Sequence, residues 1–169
     1  KKSSVYQIAH MAHHDADRQP PAPLAGQVGS GKAPSASCHL RIARPSLDIA
    51  RTERFYVDGL GLSVLWQCGP ETLGGHALAM LGWPGAAWHL EIVDDSQGET
   101  PPRPTEEDLL VLYVDGPVDP GTVDRLLAAG GKRVTARNEY WERFGVTLED
   151  PDGYRLVLSQ RGWTNEALP

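Results

Sequence analysis

Two short stretches carry the side chains best suited to chemistry. His39-Leu40-Arg41 and His89-Leu90-Glu91 each set two polar groups two residues apart. In an extended chain successive side chains alternate, so each pair shares one face of its strand. His39, His89 and Glu91 together have the donor types of a two-histidine, one-carboxylate divalent centre. The same histidines could instead serve as general bases. Arg41 bears on both options, because a guanidinium is permanently cationic and has no lone pair to offer a metal. Where their two strands lie side by side, Arg41 and Glu91 are expected to form an ion pair that offsets the cost of burying a carboxylate. A further histidine, His76, is expected on the third strand of the same unit.

Aromatic residues form a second group of candidates. Tyr113 shares the face of Leu109 and Val111, and Trp66, Trp83, Tyr140 and Trp141 fall near strand ends and loops. Rings of this kind hold planar or cationic organic ligands. Asn138-Glu139-Tyr140-Trp141 reads as a loop, where ligand contacts concentrate, and Asn138 suits either a ligand or its own turn. Arg155 lies on the last strand, on the face of Val157 and Ser159. Trp88 has the parity of Leu90 and Ile92 and belongs to the core, and Trp163 suits a sheet edge. No nucleophilic triad or acid pair occurs. The "GSGK" of residues 29–32 lacks the strand-to-helix setting of a phosphate loop.

The elements that must position these groups repeat. A strand in "CHLRIARP" leads to a helix in "SLDIARTERFYVDGLGL", and strands at 62–68, 76–83 and 87–94 follow. After the polar, proline-rich linker 96–107, the same order returns: a strand at 108–115, a helix in "DPGTVDRLLAAGG", a strand in "KRVTARN", and the hairpin "GVTLEDPDGYRLVLSQ". This is an internal repeat of two βαβββ units, 38–95 and 108–163, with a tail at 164–169. The expected fold is α+β, two tandem βαβββ modules forming a curved mixed sheet around a cleft, and a cleft is where a ligand sits. Residues 1–37, poor in large side chains, read as a flexible extension to the domain of 38–169. Its histidines His10, His13 and His14 lack the surroundings that fix metal ligands.

Composition narrows the classes. Apolar residues make up 40% and charged residues 22%, as in an ordinary globular protein. No apolar run reaches membrane-spanning length and no leader is evident, so no membrane association and a cytoplasmic location are expected. From residue 38 onward twelve Lys/Arg face twenty Asp/Glu, a balance that argues against nucleic acid as a partner. Cys38 and Cys68 have no CxxC partner, which speaks against a disulfide framework or structural zinc.

"RFYVDGLGL" and "EDPDGYRLVL", set in this repeat, resemble the vicinal oxygen chelate superfamily of glyoxalases, bleomycin-resistance proteins and extradiol dioxygenases. The likeness covers Leu40 to Trp163. A closer likeness is to a YycE-like, glyoxalase-like subgroup, carried by Ala43-Arg44-Pro45, Pro84 to Glu91, Asn138 to Trp141 and Glu149 to Leu158. Metal-dependent members of the superfamily hold a divalent ion with four side chains on the open sheet faces. The resemblance puts Arg41, Glu91, Leu109 and Val157 at those positions, and of these only Glu91 could ligate. It therefore implies metal-independent binding of a small organic ligand, antibiotic-like in one version, by a homodimer. The alternative is a lyase, isomerase or dioxygenase of the same fold, with a divalent metal relocated to His39, His89 and Glu91 or with metal-free acid and base chemistry. The candidate ligand contacts are His39, Arg41, His89, Glu91, Tyr113, Asn138, Tyr140, Trp141 and Arg155.

Overall fold

The structure is a computed structural model that describes residues 31–71 and 76–168. The fold lies in the unit that begins at Ala36. His10, His13 and His14, and most of the expected extension, fall outside the described residues. No helix among the described residues is long and apolar enough to cross a membrane.

The first module runs β1 (Leu40–Ser46), α1 (Ile49–Arg54), β2 (Ser63–Cys68), β3 (Leu78–Gly82) and β4 (Trp88–Asp94). Asp48 starts α1 by accepting the Arg51 N–H, the usual service of an aspartate N-cap. The helix then widens into a π-helical turn at Phe55–Gly59. The second module runs β5 (Leu109–Tyr113), α2 (Pro120–Ala128), β6 (Lys132–Arg133), α3 (Glu139–Phe144), β7 (Gly145–Glu149) and β8 (Arg155–Ser159). Asp119 caps α2 through the Gly121 and Thr122 N–H groups, with Pro120 in the first turn.

The α+β, two-module expectation holds. Each module forms its own four-stranded mixed sheet, in the orders β1-β4-β3-β2 and β5-β8-β7-β6. In both, the first strand pairs parallel to the last and the other pairs are antiparallel. Two expectations need correction. The strand read in "KRVTARN" is only Lys132–Arg133, and Asn138 to Trp141 is not loop but the cap and first turn of α3. His76 precedes β3 rather than lying within it.

One core serves both modules. Phe55, Tyr56, Leu81, Leu90 and Ile92 of the first join Leu126, Leu148, Leu156 and Leu158 of the second in a single buried cluster. Glycines let the halves approach closely: a Cβ on Gly59 would stand 2.9 Å from Leu126, and one on Gly131 would stand 2.5 Å from the Phe55 ring. Every sheet thus spends one face on the shared core, and its other face is turned away from it.

Candidate functional site

The open face of the first sheet carries a connected polar network. In the parallel β1–β4 pair Arg41 sits beside His89 and Ala43 beside Glu91, so His39, Arg41, His89 and Glu91 share that face. Arg41 Nη1 lies 2.8 Å from Glu91 Oε2, the ion pair expected from the sequence. Arg41 Nε donates to His89 Nε2 at 3.1 Å, and His89 Nδ1 lies 2.7 Å from His39 Nε2. The guanidinium therefore stands between the imidazole of His89 and the carboxylate of Glu91. Burial, with Arg41 and His39 adding to it against Glu91, pushes the His89 pKa below its ordinary value and favours the neutral ring. Among the described residues no three His, Cys, Asp or Glu side chains are arranged to hold a metal ion. His39, His89 and Glu91 are thus brought to one face, but with a cation between the donors.

The second sheet treats the matching face differently. Leu109 and Val157, at the two remaining expected ligand positions, are apolar, and Val157 is fully buried. Helix α3 packs on β7 and β8, and a Cβ on Gly145 would meet both the Trp141 carbonyl and Val157 at 3.3 Å, which puts α3 over this face. Asn138 caps α3 by accepting the Tyr140 N–H at 2.9 Å, so its side chain serves its own turn. Arg155 is almost fully buried and its Nη2 lies 3.1 Å from Glu106 and 3.5 Å from Glu149. Its Nη1 and the Thr147 hydroxyl are buried without a hydrogen-bond partner.

Aromatic rings gather beside α3. Tyr113 stacks on Trp163 at 5.8 Å and meets Trp141 edge-on at 6.3 Å, while Tyr140 contacts Trp141 and Phe144 at 4.9 and 5.0 Å. Trp163, 70% exposed, stacks on Tyr113 of the edge strand β5, the sheet-edge place expected for it. Tyr113 also lines a cavity of about 360 Å³ with Trp83, Leu60 and Leu112. Phe144 and Trp163 were not among the expected ligand contacts. The spacing of Tyr140, Trp141 and Phe144, one side of a helical turn, was the available signal.

A third cluster also went unread. The Asp150-Pro151-Asp152-Gly153 turn joins the modules: Tyr56 donates to Asp150 Oδ2 at 2.8 Å and Thr52 to Asp152 Oδ2 at 2.6 Å. Arg44 stacks over the Tyr154 ring, 4.4 Å from its centre. Burial raises Asp150 to about 6. The two motifs that carry the superfamily likeness, "RFYVDGLGL" and "EDPDGYRLVL", thus meet at an inter-module joint through Tyr56 and Asp150, and Arg44 of "ARP" joins it through Tyr154.

Comparison with known proteins gives a consistent picture. Residues 40–93 match the family model of the YycE-like N-terminal domain, and residues 107–160 that of the YycE-like C-terminal domain. Protein YycE of Bacillus subtilis (strain 168) is 37% identical over 123 residues, which is 72% of this chain and 87% of YycE. The crystal structure of a Bacillus subtilis YycE protein, described as of unknown function and as a glyoxalase/fosfomycin-resistance protein, is 34% identical with a TM-score of 0.69, over 78% of this chain and 95% of that one. TnmS3, an antibiotic-binding protein of Streptomyces sp. CB03234, shares the fold at a TM-score of 0.53 with 24% identity, over 76% and 99% of the two chains. The trypanothione-dependent glyoxalase I of Leishmania major shares it at 0.53 with 22% identity, over 70% and 83%. The chain belongs to the YycE-like family of the vicinal oxygen chelate superfamily.

Proposed function

We propose that this member of the YycE-like family binds a small organic ligand without a metal ion, using the open face of its first sheet and the exposed aromatic rings beside α3. The observation that carries this reading is the 2.8 Å Arg41–Glu91 ion pair. It neutralises the one carboxylate at an expected ligand position and puts a cation where a metal would need a donor. The exposed rings of Tyr113, Tyr140 and Trp163 support a planar ligand, since such rings supply contact area at low entropic cost. The polar face and the aromatic face both look away from the shared core, which supports a homodimer in which faces of two copies complete a cleft. An antibiotic-like compound fits this description. An enzymatic reading needs a free base or a metal set, and the His39–His89 contact occupies a ring nitrogen of each histidine.

Titration of the full chain, pretreated with a chelator, with quinoline carboxylate tests the reading. Tryptophan fluorescence is expected to be quenched saturably, with the probe recovered unchanged. Quenching that requires added divalent metal, or conversion of the probe, would overturn it.

A further inference from the structure

The histidine pair on the first sheet has its proton positions set by the residue beneath it. Arg41 Nε can only donate, so His89 Nε2, 3.1 Å away, must be the acceptor. A neutral His89 then carries its proton on Nδ1 and donates it to His39 Nε2 at 2.7 Å. With that nitrogen accepting, a neutral His39 holds its own proton on Nδ1. The direction of each bond follows from the one before, starting at a guanidinium that is held by Glu91 and cannot lose its charge.

We propose that the Arg41–His89–His39 relay presents donors only, and that the group recognised on this face is a hydrogen-bond-accepting oxygen, carried by a carboxylate or a neutral carbonyl. This rests on the ligand-binding reading above and specifies it. His39 has no free lone pair, so it cannot take a proton from a substrate while the relay is intact. A proton added to His39 Nε2 would face the His89 N–H, and one added to His89 Nε2 would face the Arg41 N–H. The paired geometry thus leaves no shared nitrogen open to a further proton. Burial and Arg41 act on His89 in the same direction. Glu91 and Arg41 are the charged groups of this network, with Met80 Sδ 4.0 Å from Arg41 Nη2. Arg41 is a positioning residue: it acts on the ligand through the tautomers of the rings above it.

Imidazole nitrogen NMR of the full chain at neutral pH, with and without acetate, acetamide or ethylammonium, tests this directly. Expected are Nδ1–H tautomers for both His39 and His89, a saturable shift of the His39 Nδ1 signal with acetate or acetamide, and none with ethylammonium. Comparison of the first two probes tells an anionic source of the oxygen from a neutral one. In Arg41→Met the His89 tautomers are expected to exchange, because the donor that selects one is gone. An Nε2–H or doubly protonated His39, an equal response to ethylammonium, or an unchanged His89 tautomer in Arg41→Met would overturn the proposal. If the tautomers are as stated and no oxygen probe shifts His39, the donor assignment stands and ligand binding at this face is what fails.

Discussion

The open face of the first sheet leaves Arg41 half exposed, at 50%, over a partner, Glu91, that is 12% exposed. On the second sheet the matching face is closed, with α3 across β7 and β8 and Val157 fully buried. The two modules repeat the same strand order and the same pairing pattern, so backbone architecture does not cause the difference. Side chains do. Arg41 neutralises the Glu91 carboxylate on the first face, whereas the fully buried Val157 gains by leaving water. One scaffold, used twice in one chain, therefore presents a polar recognition surface and an apolar, aromatic one.

The largest test of this contrast places a carboxylate on each face. Val157→Asp buries an unpaired charge and is expected to lower stability by about 4 kcal/mol or more. Ala43→Asp, on the exposed face beside Glu91, is expected to cost less than about 1 kcal/mol. Urea denaturation of both variants measures the pair, and equal losses would erase the contrast.

Next in size is the joint between the modules. Burial raises Asp150 from its ordinary 3.8 to about 6, so the folded chain binds that proton more tightly than the unfolded chain does. The stabilisation is complete below 3.8 and is lost as the pH rises through about 6. At 1.36 kcal/mol per pKa unit it amounts to about 3 kcal/mol. The stability difference between the wild-type chain and Asp150→Asn, followed by denaturation across that pH window, is expected to fall as the pH rises. A flat difference would remove Asp150 as its source.

A smaller loss is expected when the cover of the second face is loosened. Asn138→Ala removes the cap of α3 and should lower stability by about 1 kcal/mol. Hydrogen exchange should show faster opening of α3 while β1 and β4 are unaffected.

Much of the architecture was legible in the sequence, and the reasons are local. Alternation in "HLRIARP" and "HLEIV" marks half-buried strands, and the Asp150–Gly153 turn needs its glycine, whose φ is +88°. The Arg41–Glu91 pair was legible as well, because the superfamily resemblance set the two strands side by side and parity puts both side chains on one face. Other features depend on contacts far apart along the chain. The Tyr56–Asp150 bond spans 94 positions, and the His39–His89 contact requires a parallel register that brings residues 50 apart to within 2.7 Å. Helix α3 has only six residues, and its six-residue signal, a cap followed by aromatics, is easily taken for a ligand loop. Lys132–Arg133 is a strand only because β7 supplies its partner, and propensity alone carries no such information.

Metal content is the most direct test of the claim that the first face works through an ion pair and not through a metal. The full chain, incubated in turn with nickel, zinc, manganese and ferrous iron and then freed of unbound ions, is assayed for metal alongside Glu91→Gln. The account predicts well under one equivalent in both proteins and no difference between them. One equivalent in the wild-type chain that disappears in Glu91→Gln would contradict it.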